Sequence, residues 1–409
     1  MAYKVNDVLV INDDAAVVHE SFPQISGTTQ STAVKILASD GDTNDRFGWA
    51  ISVGSGRIVV GAHFNDDNGS NSGSAYIFDF DGNELVKILP SDGAGNDYFG
   101  DSLAVGSGRI VVGAPGEDEN GSSSGSAYIF DLDGTQLAKI TASDGSNYDE
   151  FGRSAAAGSG RIVVGSPQNA DDGSNSGSAY IFDLDGNELA KITASDAAAG
   201  DYFGNSVAVG SGRIVVGAHL DADNGIDSGS AYIFDLDGNQ LAKILPSDGA
   251  AGDYFGNSVA VGSGRIVVGA HLNTDNGIVS GSAYIFDLDG NELAKITASD
   301  AADNDIFGEF VAVGSGRIVV TARRDDDYGA DSGSVYIFDL NGNQLEKIFP
   351  TTPSGGLYFA SSVAVGSGKI VAGVNSDNNG TIQTGAAYVY SLSEDHNTYW
   401  ERILNTYKY

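Results

Sequence analysis

Residues 203–244 read FGNSVAVGSGRIVVGAHLDADNGIDSGSAYIFDLDGNQLAKI, and this stretch decides the fold. It holds four short apolar runs, NSVAVGSG, RIVVGAH, GSAYIFD and NQLAKI, separated by turns rich in Gly or Asp. Short runs rich in β-branched and aromatic residues, with turn signals on both sides, are typical of strands. In the third run Tyr232 and Phe234 lie on one face and Ala231 and Ile233 on the other, so we expect a strand that is buried on both faces.

The same unit recurs along the chain with a constant period. Phe-Gly occurs at Phe47, Phe99, Phe151, Phe203, Phe255 and Phe307, and Phe-Ala at Phe359, which makes six steps of 52 residues. Seven four-stranded units, each covered by its neighbours, predict an all-β protein: a seven-bladed β-propeller of four-stranded antiparallel blades, whose closed ring leaves no exposed edge. We assign residues 33–404 to the propeller and residues 405–409 to a C-terminal tail.

Ring closure has two possible solutions in the sequence. The fourth-strand signature Lys-Ile occurs first at Lys35-Ile36, and a related Arg402-Ile403 follows a three-residue insertion at the end of the last unit. Either residues 33–37 or residues 400–404 complete the seventh blade. The undisturbed spacing of the first segment favours residues 33–37.

Composition narrows the classes of function. The chain has 409 residues, 55 Asp and Glu against 21 Lys and Arg, a formal charge of −34, and no cysteine. Such a charge repels phosphate backbones and anionic membranes, so we expect no nucleic-acid partner, and the lack of cysteine excludes disulfides and thiolate sites. No run of eighteen apolar residues is present, so we expect no membrane insertion, and the first residues lack the pattern of a secretory signal.

The unit FG…VAVG…RIVVGA…GSAYIF resembles the FG-GAP repeat of integrin-α-type seven-bladed propellers, over about residues 33–404. The literal triplet occurs at Gly113-Ala114-Pro115, whereas His63, His219 and His271 replace the proline in other units. The resemblance implies an Asp-rich calcium loop between the first two strands of a repeat. This chain has Gly210-Ser211-Gly212-Arg213 there, without a carboxylate, so the family's calcium site is not carried over to these positions.

Acidic residues concentrate instead in the loop between the second and third strands. Oxygen-bearing side chains recur there at the first, third and, with one exception, seventh positions, and units four and six carry three aspartates each. Hard oxygen ligands in this pattern suit Ca²⁺, although Asx turns around a glycine would give the same pattern. The candidate calcium ligands are Asp221, Asp223, Asp227, Asp325, Asp327 and Asp331.

Other polar motifs have simpler interpretations. Spaced aspartate pairs such as Asp196 and Asp201 precede Phe-Gly in six units, which is typical of turn capping. Asp235-Leu236-Asp237-Gly238 joins two apolar runs and predicts a hairpin. The recurring histidines are expected at the rim of the propeller.

No catalytic constellation stands out from the repeat, so we predict a non-enzymatic protein. A glycosidase needs one carboxyl pair around one sugar, whereas these pairs recur in six units. Tyrosines that precede Phe-Gly or Phe-Ala on the acidic face suit either ligand contacts or packing between blades. They are Tyr98, Tyr202, Tyr254 and Tyr358. Unit six departs most from the repeat, and Arg323, Arg324 and Tyr328 there are candidates for a distinctive contact or for surface ion pairs.

Residues 1–32 lie outside the repeat and form a predicted attachment or oligomerisation arm, with a strand over residues 4–11. The opening MAYKVNDVLVINDDAAVV resembles N-terminal segments of bacteriophage virion proteins, especially tail-fibre and cyanophage structural proteins. The resemblance implies attachment to other virion tail proteins through residues 1–32, a homo-oligomer, and recognition of a host-surface glycan or protein. The rival interpretation is a bacterial surface or secreted calcium-binding adhesin, and a third is a polysaccharide-degrading enzyme.

Overall fold

The structure is a computed structural model that describes residues 3–5, 8–10, 33–275, 278–350, 356–377 and 384–392. The predicted tail at 405–409, the closing candidate at 400–404 and most of the arm lie outside the described residues. Within these ranges, no helix has the length and hydropathy needed to cross a membrane.

Seven four-stranded antiparallel sheets form the blades of the propeller, as the 52-residue period predicts. Blade 1 consists of β4 (Ile51–Gly54), β5 (Arg57–Ala62), β6 (Ser74–Phe78) and β7 (Glu84–Ile88), and blade 2 of β8 (Leu103–Gly106), β9 (Arg109–Ala114), β10 (Ser126–Phe130) and β11 (Gln136–Ile140). Blade 3 consists of β12 (Ser154–Gly158), β13 (Arg161–Ser166), β14 (Ser178–Phe182) and β15 (Glu188–Ile192). Blade 4 consists of β16 (Ser206–Gly210), β17 (Arg213–Ala218), β18 (Ser230–Phe234) and β19 (Gln240–Ile244). Blades 5 and 6 consist of β20 (Ser258–Gly262), β21 (Arg265–Ala270), β24 (Ser282–Phe286) and β25 (Glu292–Ile296); and β26 (Phe307–Gly314), β27 (Arg317–Ala322), β28 (Ser334–Phe338) and β29 (Gln344–Ile348). A small hairpin of β22 (Thr274–Asp275) and β23 (Ile278–Val279) lies in a loop of blade 5.

The first and last parts of the repeat meet in blade 7. This blade contains β30 (Ser362–Gly366), β31 (Lys369–Val374), β32 (Ala386–Ser391) and, as its fourth strand, β3 (Val34–Ile36). β3 pairs antiparallel with β32, so that Val34 lies opposite Val389 and Ile36 opposite Ala387. The prediction that residues 33–37 complete the last blade is confirmed.

The hydrophobic core lies between neighbouring blades. Val59 and Ile77 of blade 1 pack with Phe99 and Tyr128 of blade 2 in one cluster, and equivalent clusters occupy the other junctions. Phe99 is fully buried, and its ring meets that of Tyr128 edge to face at 5.5 Å. Burial of each such side chain contributes roughly 1.5–3 kcal/mol, which explains why both faces of the third strand are apolar.

The glycines of the repeat allow the backbones of neighbouring blades to touch. Gly73 has φ of +83° and forms a parallel bridge to Phe99, and a Cβ on Gly73 would lie 2.0 Å from the Phe99 carbonyl oxygen. A Cβ on Gly61 would lie 2.2 Å from the carbonyl oxygen of Gly100 in the next blade. Gly-Ala of one blade and Phe-Gly of the next lie on the two sides of this backbone contact, which explains why both dipeptides recur in the repeat.

Among the described residues, the turns on the opposite face hold no group of three carboxylates close enough to share an ion. Ser211 and Gly212 both have positive φ, 50° and 75°, as tight hairpins require. Asp235 accepts hydrogen bonds from the backbone N–H groups of Asp237 and Asn239, and its second oxygen accepts one from the Asn239 side chain. The prediction that this motif is a hairpin is confirmed.

The N-terminal unit is described only at two short strands. β1 (Tyr3–Val5) and β2 (Val8–Val10) pair antiparallel, with Tyr3 opposite Val10. The expectation of one strand over residues 4–11 was therefore wrong. Asn6-Asp7, two residue types common in turns, separates the two strands in the sequence.

Candidate functional site

A lysine of the fourth strand lies among the acidic side chains of each blade. In blade 4, Lys243 Nζ lies 2.8 Å from Asp196 Oδ2, 3.0 Å from Asp221 Oδ2 and 2.5 Å from Asp223 Oδ2. Asp221 and Asp223 follow the second strand, whereas Asp196 belongs to the connection that enters blade 4 from blade 3. The lysine therefore joins the loop of its own blade to the connection between the two blades.

A buried tyrosine completes this arrangement, which we call the lysine cluster. The Tyr232 hydroxyl lies 2.9 Å from Asp196 Oδ1 and 3.0 Å from Asp221 Oδ2, and Lys243 Nζ lies 5.2 Å from the centre of the Tyr232 ring. Burial and the two carboxylates raise the pKa of Tyr232. The hydroxyl is therefore neutral at any physiological pH and can donate its proton to a carboxylate.

The lysine cluster recurs around the ring. In blade 6, Lys347 Nζ lies 2.8 Å from both Asp300 and Asp325 and 2.6 Å from Asp327. Asp325 is almost fully buried, with 2% of its surface exposed. The pairs that correspond to Lys243 with Asp196 are Lys87 with Asp40, Lys139 with Asp92, Lys191 with Asp144 and Lys295 with Asp248. In blade 7, Lys35 pairs instead with Asp377, which is the equivalent of Asp221.

Electrostatics keeps both partners of the cluster charged. Burial by itself would raise the pKa of Asp196, but hydrogen bonds from Lys243 and Tyr232 outweigh it and hold that pKa below the usual value. Burial would likewise lower the pKa of Lys243, but its bonds to the carboxylates raise it instead. The cluster is therefore a set of ion pairs at neutral pH, and loss of one partner would leave uncompensated charge on a partly buried carboxylate.

Four of the six predicted calcium ligands lie in two acidic groups that could hold an ion, and in each group a lysine ammonium lies between the oxygens. Asp196, Asp221 and Asp223 each offer one oxygen within 4.8 Å of the others, as do Asp300, Asp325 and Asp327. Calcium needs about six to eight oxygen ligands. Here three carboxylates surround an ammonium group that already bonds to their oxygens, so the cation of each group comes from the chain itself.

The seventh-position residues of the predicted ligand set are not members of these two groups. Asp227 and Asp331 lie outside the two acidic groups, and the third carboxylate comes from the connection between blades instead. Asp227 has φ of +57°, and its carbonyl accepts a hydrogen bond from the backbone N–H of Tyr254 at 3.1 Å. Asp331 accepts a hydrogen bond from the Tyr358 hydroxyl at 3.3 Å. In both blades the backbone carbonyl of this residue accepts a hydrogen bond from the N–H of a tyrosine in the next connection, Tyr254 or Tyr358.

The second member of each aspartate pair caps a turn, as the sequence predicts. Asp201 Oδ2 accepts a hydrogen bond from the backbone N–H of Ala198 at 2.8 Å. In blade 6 the equivalent Asp305 is buried close to Asp325, and burial together with that second carboxylate raises the pKa of Asp305 to about 6. Blade 5 instead has Asn273, whose amide donates to Asp253 at 2.9 Å.

A cavity of about 480 Å³ lies where the first strands of the blades begin, and we call it the axial mouth. Since the connections between blades end there, it opens on the same face as the lysine clusters. The residue two positions after the signature phenylalanine lines it in every blade, and this residue varies although the strands are nearly identical. The set is Trp49, Asp101, Arg153, Asn205, Asn257, Glu309 and Ser361, joined by Arg323 and Asn375.

Two ion pairs lie in the axial mouth. Arg153 binds Asp101 at 2.8 Å, and the Trp49 indole N–H donates to the same carboxylate at 3.1 Å. Burial raises the pKa of Asp101, although Arg153 and Trp49 oppose that shift. Arg323 Nε lies 2.8 Å from Glu309 Oε2, and burial raises the pKa of that glutamate as well. Sequence reasoning missed Trp49, Asp101 and Arg153.

The tyrosines singled out in the sequence pack at the rim. The Tyr254 ring lies between His219 of blade 4 and His271 of blade 5, with ring centres 6.1 and 5.7 Å apart. Tyr98 lies 6.3 Å from His63, Tyr202 lies 5.9 Å from His219, and Tyr358 lies 5.9 Å from the Arg323 guanidinium. All four are half-buried, so packing between blades accounts for much of their surface, and their role in binding stays a prediction.

The rim histidines are neutral at physiological pH. Burial lowers the pKa of His63 to about 3, and that of His219 and His271 to about 4. Their Nδ1 atoms are buried without a hydrogen-bond partner. The three residues belong to different blades, as expected for rim positions.

The three candidates in blade 6 do not form one contact. Arg323 faces the axial mouth, whereas Tyr328 stacks on Phe349 with ring centres 4.0 Å apart, and Arg324 is exposed. Arg323 pairs with Glu309, in line with the ion-pair interpretation, and a role of the three residues in binding stays a prediction.

Seven sheets, inter-blade cores and a shared axial mouth define a seven-bladed β-propeller. Six consecutive segments match the FG-GAP repeat, at residues 31–78, 83–130, 135–182, 187–234, 239–286 and 291–338. The chain belongs to the FG-GAP repeat family. A comparison with curated proteins found no match. Each matched segment begins with the outer strand of one blade and continues with three strands of the next, which is the offset that closes the ring through β3.

Proposed function

We propose that this chain is a non-enzymatic recognition protein in which the propeller presents a binding site and residues 1–32 attach it to a virion, as in a phage tail fibre. The observation that carries the proposal is the distribution of side chains that differ between blades. Repeated positions build the ring, and the positions lining the axial mouth change from blade to blade.

The chemistry of the acidic face favours binding over catalysis. The recurring carboxylates of the lysine clusters are held by Lys243 and its equivalents, and Asp201 and its equivalents cap turns. In the axial mouth, Asp101 and Glu309 each face an arginine. A glycosidase would need one free carboxyl to donate a proton and a second one to act as base or nucleophile.

Recognition in this proposal does not depend on calcium. The lysines supply the cations that neutralise the acidic loops, so the propeller is preformed without metal. This favours the virion protein over the rival calcium-binding adhesin. Several propellers on one particle would bind at the same time, and this multivalency would turn weak individual contacts into strong attachment.

The attachment role rests on the resemblance of the opening residues to virion proteins. Partner proteins of the tail would bind residues 1–32, and a homo-oligomer would bring several mouths to one surface. The strands β1 and β2 are short and cannot bury much surface by themselves, which suits a segment that docks on another chain.

Mass spectrometry of purified phage particles, combined with immunogold labelling of the propeller, tests the assignment. Label on tail fibres or the tail tip is expected. Absence from particles together with label on bacterial cell surfaces would replace the proposal by the adhesin. Release of reducing sugar from host polysaccharide by the purified protein would overturn the non-enzymatic part.

A further inference from the structure

We infer that the axial mouth binds the terminal sugars of a neutral glycan, an inference that rests on the proposed recognition function and names its ligand class. The mouth is a single polar cavity formed by side chains that differ between blades. Its volume of about 480 Å³ lies within the range of ~300–1,000 Å³ that is typical of small-ligand sites.

The charges of the mouth cancel. Asp101 faces Arg153, and Glu309 faces Arg323, so two carboxylates balance two guanidinium groups. The surrounding chain has a net charge of −34 and repels anionic ligands at a distance. A neutral ligand is therefore favoured over an acidic one.

The polar groups suit vicinal hydroxyls. Asn205, Asn257 and Asn375 each bring an amide with two donors and an acceptor, and Ser361 adds a hydroxyl. Sugar hydroxyls both donate and accept, so neighbouring pairs of them can bind amides, carboxylates and guanidinium groups in a bidentate manner. The Arg153 side chain is 42% exposed and can reach a ligand while it keeps its bond to Asp101.

One polar pair in the wall is incompletely bonded. Arg323 Nε and Glu309 Oε2 lie 2.8 Å apart, yet they are not aligned for a hydrogen bond. Both atoms are buried and have no other hydrogen-bond partner. The pair is therefore held by charge attraction in the wall, and contacts to a ligand come from the exposed groups of the mouth.

An aromatic side chain stands beside these groups. Trp49 is half-buried, and the hydrogen bond from its indole N–H to Asp101 fixes the orientation of the ring. His63 supports the ring, with centres 4.3 Å apart. A fixed indole next to hydrogen-bonding groups can contact the apolar face of a sugar while the sugar hydroxyls bind the polar side chains.

The inner strands indicate how the ligand enters. Further along the axis, a cavity of about 250 Å³ is lined by small and branched apolar residues such as Val53, Val105, Ala157 and Val209. Apart from Ser52, its side chains offer no hydrogen-bond partners to sugar hydroxyls, in contrast to the amide, carboxylate and guanidinium groups of the mouth. The mouth therefore accepts the end of a glycan chain from the acidic face.

The test is an array of neutral and acidic glycans probed with the full-length protein, followed by calorimetric titration of the best neutral glycan. Neutral glycans that share a terminal unit are expected to bind. Trp49→Ala and Asn205→Ala should each weaken binding at least about tenfold while the melting temperature of Asn205→Ala stays close to that of the wild type. Asn341→Ala is the matched control, because Asn341 is exposed on the hairpin face opposite the mouth.

Three results would overturn the inference. They are binding restricted to acidic glycans, neutral-glycan binding that both mouth variants retain, and the absence of any glycan binding by a protein that still attaches to host cells. The last result would leave the proposed recognition function intact and point to a protein receptor. If the protein binds neither host cells nor glycans, the proposed function itself is overturned.

Discussion

Lys243 Nζ and Asp196 Oδ2 lie 2.8 Å apart, although 47 residues separate them and Asp196 comes from the connection that leaves the preceding blade. The ion pair therefore holds two consecutive repeats together at the acidic face. On the opposite face, Arg213 Nε donates to the carbonyl oxygen of Leu288 in the next blade at 3.1 Å. The five junctions from blades 1 and 2 to blades 5 and 6 each have such a polar contact at both ends of the apolar core.

Removal of a cluster lysine should destabilise the propeller and create a calcium site. Lys243→Met leaves Asp196, Asp221 and Asp223 facing one another without a cation. We expect the free energy of unfolding to fall by roughly 2 kcal/mol or more. The loss is smaller than the 3–5 kcal/mol of a fully buried pair because two of the carboxylates are partly exposed. The melting temperature should fall, and millimolar calcium should restore part of it.

Lys295→Met is the control for that variant, because Asn273 takes the place of Asp221 in blade 5. Its cluster has one carboxylate fewer and should respond more weakly to calcium. Equal calcium responses in the two variants, or no loss of stability in Lys243→Met, would contradict the role assigned to the lysine.

Closure by β3 predicts a sharp difference between two truncations. Deletion of residues 1–32 should leave the melting temperature nearly unchanged, because the blade 7 sheet keeps all its strands. Deletion of residues 1–38 should lower it strongly, since the edge of β32 loses its partner and Ile36 leaves the core between blades 7 and 1. Thermal unfolding followed by circular dichroism measures both. Similar melting temperatures would show that another segment closes the ring.

The close contact between blades predicts a position-specific effect of an added methyl group. Gly73→Ala places a Cβ against the Phe99 carbonyl and should cost more than about 2 kcal/mol. Gly108 has φ of +76° but no neighbour within 4 Å, so Gly108→Ala should cost only the backbone strain of about 1–2 kcal/mol. Denaturant unfolding measures the free energy of unfolding of both variants. The loss in Gly108→Ala reports backbone strain alone, and the additional loss in Gly73→Ala reports the steric clash. A larger loss in Gly108→Ala would refute the contact.

Asp305 and Asp325 predict an effect of pH on stability in blade 6, where the pKa of Asp305 is raised to about 6. The folded pKa of Asp305, about 6, lies above its ordinary value of 3.8, so the folded state binds the proton more tightly. Stability from this group is present at low pH and is lost as the pH rises from about 4 to 6, by up to about 3 kcal/mol. Asp325→Asn should reduce this loss, because it removes the second carboxylate and offers an amide, as Asn273 does to Asp253, while the burial of Asp305 remains.

The readout is the difference in melting temperature between Asp325→Asn and the wild type at each pH. Between pH 4 and 6 the melting temperature of the variant should rise relative to that of the wild type. Above pH 6 the difference should stay constant. The rim histidines, which titrate in both proteins, cancel in the difference. A constant difference across this range would contradict the coupling.

The sequence predicted the fold because the period is strict. The spacing from Phe47 to Phe359 and the apolar faces of the third strand are local patterns, and they sufficed for blade number and strand order. The undisturbed position of Lys35-Ile36 also predicted the closing strand. Because successive side chains of a strand point to opposite faces, the order of apolar residues in the sequence shows directly which faces are buried.

The site was harder to predict because its contacts are not local. Lys243 meets Asp221 across 22 residues and Asp196 across 47, so neither loop by itself reveals the ammonium group. The signal that could have found it is a lysine at the same place in each outer strand. The axial mouth was missed for another reason: the search for departures from the repeat compared loops, whereas Trp49 and Arg153 begin the inner strands.

Lysine ammonium groups occupy the two acidic groups in which an ion could be held. The most direct measurement is the melting temperature of the wild-type protein in calcium and in chelator at constant ionic strength. We predict identical melting temperatures, because Lys243 and Lys347 already occupy the two acidic groups. A melting temperature that rises with calcium and saturates would contradict the account.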